Sequence, residues 1–474
     1  MRTIDELPGP PALPLLGNAL SLTRASRIHL VAEKWARRYG PIIRIRIGPR
    51  LLVGIGDREA IGEILRDRPE GFRRWKDQKT VVGEVGGTGL FLSEGEDWKR
   101  QRRLVVTALN ANRVQRYFDV LNTSTARLHR RLSEAAADGR SLAIGEELHC
   151  FTVDVTSALA FGEDLNTLER RDNELQDHIQ LILTMTARRL RSPIAYWRFI
   201  RFPADRALDR SMEAITAAMT EFVEQAQQRM NARPELYEEP RNLLEGMLAA
   251  QRKDGTFSDE EVGANVLTVL FAGEDTTANT LAWVVWLLAS RPEIQARLAE
   301  ESLEVLGDEL FPGDSETVER LSYTEAVLRE AMRLKPVGPI MPVEPNQDVT
   351  ICGTHIPAGT QILLLMRHAT ITPAGRGDDF YPERWIEEGE ENAAPKSLSF
   401  GEGPRFCPGR NLAFIELKVV LAMIARNFEF ELDPKAAPVE EEFAFAMGPR
   451  GLRVHMRERT SSKAGAVAGI PARR

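Results

Sequence analysis

Residues Phe400–Gly409, FGEGPRFCPG, set one cysteine among three glycines, two prolines and an arginine. A thiolate that binds a metal needs an accessible backbone turn, donors that hold the charge on sulfur, and protection from oxidation. Gly401, Gly403 and Gly409 permit a tight turn and the close approach of a flat ligand. Pro408 has no amide proton, but other amides of the loop can point at Cys407. The helix expected to follow brings its positive end near the sulfur. Phe400 can shield the thiolate, and Arg405 can pair with a carboxylate on the ligand. The bland alternative is a buried cysteine in a glycine-rich loop. A second run, Ala272-Gly273-Glu274-Asp275-Thr276-Thr277, puts a glycine, two acids and two β-branched hydroxyls inside an otherwise apolar helical stretch. Gly273 alone costs about 1 kcal/mol there, so the run marks either a kink with a solvated face or a site. Glu330-x-x-Arg333 is an i,i+3 pair of a kind that decorates many exposed helices. Trp98 and Arg102, at i and i+4, share one helix face.

The elements that must position these residues are mainly helical. Prolines 8, 10, 11 and 14 make residues 1–17 an extended leader. Ile42–Ile47 and Leu51–Ile55 flank Gly48-Pro49-Arg50 and predict a hairpin. Apolar spacing of three to four residues then dominates from Arg58 to about Ala299. Ser258 with Glu261 is a capping box, and the pattern it opens runs to Ser290, before Pro292. Turns and β-rich stretches return over Val349–Leu365. Asn411–Asn427 is an apolar helix, and Gly448-Pro449 is expected to turn between two short strands. From residue 457 the chain is rich in Ser, Ala, Gly and Arg, as a disordered tail would be.

The chain has 474 residues and a net charge of −7. Length alone favours about three domains. No repeat or Gly/Ser linker divides the chain, so one large, mainly α domain with minor β-structure over residues 18–456 is the better expectation. The 43% apolar and 28% charged content excludes a wholly disordered chain. The acidic balance argues against nucleic acid as a partner. Cys150, Cys352 and Cys407 are too few and scattered for a disulfide framework, and no C-x-x-C pair suggests structural zinc. No signal peptide is visible and no apolar run reaches the ~18 residues of a membrane span. A soluble cytoplasmic protein is the expectation.

The cysteine segment resembles the haem-binding signature F-x-x-G-x-R-x-C-x-G of the cytochrome P-450 family. AGEDTT is similar to that family's A-G-x-[DE]-T-T motif. WKRQRR at 98–103 resembles its W-x-x-x-R helix, and EAMRLKP followed by FYPERW at 380–385 resembles its E-x-x-R and P-E-R-[FW] pair. The resemblance spans nearly the whole chain and implies a single haem domain with haem b between a long central helix and the cysteine loop. Cys407 would be the proximal iron ligand and would favour O–O cleavage of dioxygen, the co-substrate. Trp98, Arg102 and Arg405 would hold haem propionates. Phe400, Gly401, Ala272 and Gly273 would line the haem, with Gly273 making room for dioxygen. Asp275 and Thr276 would deliver protons. Glu330, Arg333 and Arg384 would form a buried ion triad that steadies the cysteine loop. One departure stands out: residues 336–349 lack the arginine that many members direct at a propionate, leaving Arg367 or His368 as substitutes.

The implied function is a haem-thiolate monooxygenase acting on a lipophilic substrate by hydroxylation or epoxidation. Substrate contacts would come from residues 72–91 and 185–197, Val269 and Ala272 of the long helix, Ile340 within 337–341, and Phe445 within 443–447. Fewer than fifty residues follow the cysteine helix, so a separate ferredoxin or flavodoxin with its reductase is implied. Lys99, Arg100 and Arg103 would offer that donor a basic patch. A peroxygenase of the same fold should lack the acid–alcohol pair, and an isomerase should lack the threonine. A haem sensor or carrier would need Cys407 but not Asp275 and Thr276.

Overall fold

A computed structural model of the chain describes residues 2–22, 27–86, 89–109, 114–170, 174–192, 194–255, 257–371, 377–386 and 397–459. The axis of the molecule is the helix Asp259–Leu288, 30 residues and so about 45 Å long. Ser258 caps it: its hydroxyl accepts the Glu261 amide at 3.2 Å, while the Glu261 carboxylate accepts the Ser258 amide at 2.9 Å. The helix ends at Leu288, two residues short of the expected Ser290, and the next helix begins with Pro292.

Two apolar clusters share this axis. The C-terminal half, from Ala278 to Leu288, packs with the helices Ile144–Phe161, Ser322–Leu334 and Arg410–Asn427. The N-terminal half, from Val262 to Leu270, packs with Glu174–Arg191 and Pro203–Ala232. Ile144–Phe161 makes the most extensive contact with the central helix. That contact explains Gly273. A Cβ there would stand 2.9 Å from Thr156 Oγ1 and 3.0 Å from its Cγ2, so glycine lets the two helices approach. The missing side chain faces Thr156, a packing reason for glycine beside the expected room for dioxygen.

The β-structure is peripheral. Ile42–Ile47 and Arg50–Ile55 pair as the expected hairpin and start a five-stranded sheet that continues through Ile362–Leu364, Met341–Pro345 and Phe72–Arg73. The proline leader joins this region, with Leu7 buried and Gly17 bridging to Ile47. It contains a short 3₁₀ turn at Ile4–Glu6. Gly448 and Pro449 lie inside the strand Met447–Arg450, paired with Glu440–Phe443, so the turn falls at residues 444–446 instead. The final strand is Val454–Glu458. Residues 457 and 458 therefore belong to the fold, and the rest of the expected tail, from 460, lies outside the described residues.

Candidate active site

The cysteine loop is closed by its own backbone. The Cys407 amide donates to the Phe400 carbonyl at 2.8 Å, and the Phe406 amide to Gly403 at 3.1 Å. Gly401 and Gly403 both have φ of +73°, and a Cβ on Gly403 would strike the Leu65 carbonyl oxygen at 2.5 Å. The turn and its seat on the helix Arg58–Arg66 thus both require glycine. The Phe400 ring packs on Phe414 of the cysteine helix at 5.3 Å. Burial pushes the Cys407 thiol up, while the amides of Gly409 and Arg410 and the charges of Arg102 and Arg410 oppose that rise. These donors suit a sulfur that becomes a thiolate on coordinating a metal.

Basic side chains crowd the same region. Arg102 lies 4.7 Å over the Phe406 ring and acts electrostatically on Cys407. Arg405 packs 4.9 Å over Trp98, donates to Glu94 at 2.8 Å and reaches the Ser93 carbonyl. Glu94 thus already gives Arg405 one carboxylate partner within the chain. Two further arginines were not singled out from sequence. Arg68 is buried, donates from Nη1 to Met341 Sδ at 3.2 Å, and leaves Nε and Nη2 without a partner. Burial, and then the charge of Arg405, bring it down to about 10. Arg74 donates to the Phe91 carbonyl at 2.6 Å and is driven well down by burial and by Arg68 and Arg405. Glu94 is the carboxylate that opposes all three of these cations, and one anion cannot neutralise them. Buried donors without acceptors are costly, so this cluster fits a ligand with more than one carboxylate, as haem is.

Arg367 is not the substitute for the missing strand arginine. Its Nε and Nη2 each donate to Glu33 at 2.9 Å, and its Nη1 donates to Glu441 at 2.9 Å. His368 packs against Gly56. Arg68 instead stands beside Met341, at the start of the strand that lacks the arginine. The signal available in the sequence was an arginine before Pro69, which nothing in its local pattern distinguishes.

Glu330 and Arg333 are 0% and 1% exposed and pair bidentately at 2.8 and 2.9 Å. Arg384 adds a 3.0 Å contact to the same carboxylate, which also accepts Trp385 Nε1 at 3.0 Å. Arg333 donates onward to the carbonyls of Gly377 and Asp379. The Met332 carbonyl of the same helix accepts the Ser399 hydroxyl at 2.9 Å, one residue before the cysteine loop. The triad is thus a buried, fully bonded brace.

On the central helix, Ala272 is exposed although it lies mid-helix, and Thr276 sits one turn on, donating to the Ala272 carbonyl at 2.6 Å. The Asp275 carboxylate has three partners of its own. It meets His149 Nε2 at 3.2 Å, Asn279 Nδ2 at 2.9 Å and the Ala446 amide at 3.2 Å. Glu274 is fully buried and accepts from Gln180 at 2.6 Å, and burial pushes it up to about 7. Of the substrate candidates, Val269 and Phe445 border one apolar cluster together with Phe91, whose ring lies 6.0 Å from Phe445. Ile340 borders another, with Ala32 and Ala36, and does not join them.

The chain was compared with known proteins. The family model described as Cytochrome P450 matches residues 7–456. The Arabidopsis thaliana protein LUTEIN DEFICIENT 5, chloroplastic, is 28% identical over 91% of this chain and 74% of its own length. The human 25-hydroxyvitamin D-1 alpha hydroxylase, mitochondrial, is 28% identical over 94% and 91% respectively. A zebrafish (Danio rerio) relative, cytochrome P450 27C1, is 25% identical over 96% and 87%. With the match covering nearly every residue that builds the cysteine loop, its brace and the central helix, the chain belongs to the cytochrome P450 family.

Proposed function

We propose a division of labour for these residues within the activity that family membership carries, that of a haem-thiolate monooxygenase. Bound through the Cys407 thiolate, haem supplies the activation of dioxygen. Cys407 holds the iron from the loop, and the Gly409 and Arg410 amides carry part of the thiolate's charge. Arg102, Arg74 and Arg68 hold the propionates, while Arg405, fixed by Glu94 and Trp98, keeps the pocket electropositive. Thr276 would hold a proton donor on the haem side of the central helix, and Asp275 would supply the proton. The unneutralised arginine cluster next to Cys407 is the observation that carries this reading. Phe91, Val269 and Phe445 support a lipophilic substrate.

Electrons come from a redox partner, for which we propose a separate ferredoxin or flavodoxin with its reductase. The basic patch expected to receive it is partly neutralised: Lys99 pairs with Glu96 and Glu70, and Arg100 with Asp97 and Glu261. Phe406, 46% exposed and adjacent to Cys407, is the better contact point. Three free cysteines support a reducing compartment, and we propose the cytoplasm. Among the described residues no helix is long and apolar enough to cross a membrane. Turnover of a lipophilic probe with a reduced surrogate ferredoxin supports the monooxygenase reading. Turnover with hydrogen peroxide alone would favour a peroxygenase.

A further inference from the structure

His149, on the helix Ile144–Phe161, was not marked by any motif, yet it is the charged partner of Asp275. Both of its ring nitrogens face oxygen acceptors. Nδ1 lies 2.8 Å from the Gly145 carbonyl oxygen, and Nε2 lies 3.2 Å from Asp275 Oδ1. A carbonyl oxygen can only accept, so Nδ1 carries a proton in every state. With Nε2 facing the Asp275 carboxyl group, a doubly protonated ring donates to both oxygens. Only the Nε2 proton is free to leave, because its loss yields a neutral ring that still satisfies Gly145. Side-chain exposure is 24% for His149 and 16% for Asp275, so the ring is the more open member of the pair.

Among the described residues few charged groups face this ring. From the central helix they are Asp275 and Glu274. The neighbouring helix Val114–Ala137 turns Arg131 to Glu147 and Glu134, and Arg127 to Asp164. The helix Leu243–Asp254 is met through its neutral cap Asn242. Burial works against the charge on His149, but the Asp275 hydrogen bond and the two acids outweigh it and raise its affinity for a proton.

We propose that His149 is the positioning residue that supplies protons to Asp275. The Nε2 proton moves to Asp275 Oδ1, leaving an imidazole protonated at Nδ1 and a neutral carboxylic acid. Asp275 then passes a proton toward Thr276, and a proton from solvent returns to Nε2, so each passage of the relay takes up one solvent proton and a turnover needs two passages. The same carboxylate also accepts the Ala446 amide, which ties the relay to the turn that carries Phe445.

This inference rests on Asp275 serving in proton delivery, and the test separates the two. The full-length haem protein, selectively ¹⁵N-labelled on histidine, is titrated as its diamagnetic carbon-monoxide complex. His149 is expected to titrate above an ordinary histidine and to keep its neutral proton on Nδ1. Asp275→Asn should lower that titration. A neutral form protonated on Nε2 would overturn the proposal. In parallel, dioxygen consumption is driven by a surrogate ferredoxin and its reductase. His149→Gln and His149→Arg each keep a donor to Asp275 but neither can release a proton near neutral pH. Both are expected to slow consumption about tenfold, to enlarge the solvent deuterium isotope effect and to change its pH profile. Wild-type rates in either variant would overturn it. If Asp275→Asn also keeps the wild-type rate, the Asp275 assignment itself fails; if Asp275→Asn is slow while His149→Gln is fast, only the His149 step fails.

Discussion

Cys407, Thr276 and Arg68 divide the chemistry at the residue scale, and each answers to a different measurement. Thr276→Ala should leave haem bound but divert dioxygen to hydrogen peroxide, measured as peroxide formed per electron pair consumed. An unchanged ratio removes Thr276 from proton delivery. Arg68→Leu tests the arginine cluster by two opposite effects. Deleting a buried cation with two unsatisfied donors should stabilise the haem-free chain or leave it unchanged in thermal melts. The same change should weaken haem binding by roughly ten- to a hundredfold, the worth of one lost charged hydrogen bond. If haem affinity is unaltered, Arg68 is not a propionate partner. Cys407, Asp275, Thr276, Trp98 and Arg102 could be singled out from sequence because each sits in a run of unusual residues at fixed spacing. Arg68, Arg74 and His149 could not. Their roles depend on partners far along the chain, such as Met341 at 273 positions and Asp275 at 126, and a local pattern cannot encode such a distance.

At the scale of elements, the brace and the cysteine helix carry the stability. Glu330→Ala would leave Arg333 buried without its carboxylate, at a cost of about 3–5 kcal/mol. The melting temperature should drop and haem content should fall with it, since the same helix holds Ser399 through the Met332 carbonyl. Behind the cysteine helix, Glu416 is fully enclosed against Tyr117, and burial pushes it from 4.5 up to about 7. Between those values the folded chain holds a proton that the unfolded chain has released. Stability therefore falls as pH rises from about 4.5 to 7, by on the order of 3 kcal/mol in total. Glu416→Gln should match the wild type near pH 4.5 and exceed it at pH 8; equal melts at pH 8 would contradict the buried-acid account. Helix starts were legible where a cap is local, as at Ser258. The packing role of Gly273 was not, because its reason is Thr156 on another helix. The Gly448-Pro449 turn was misplaced for a similar reason. Turn-forming residues suggested a break there, but pairing with Glu440–Phe443 holds them extended.

For the whole molecule, length favoured several domains, whereas the central helix joins two of the apolar clusters and the sheet packs at one side, so the chain folds around one axis. The proline leader belongs to that body because Leu7 and Gly17 are fastened to the sheet region, a contact that composition does not reveal. Everything assigned to the site converges on one claim: the loop at Cys407 presents a thiolate to haem iron. The direct measurement is the absorption spectrum of the haem-loaded protein, reduced and bound to carbon monoxide. The account predicts the strongly red-shifted Soret band of thiolate-ligated haem in the wild type and its loss in Cys407→Ala. A wild-type chain that fails to take up supplied haem, or a Cys407→Ala variant that retains the thiolate band, would contradict it.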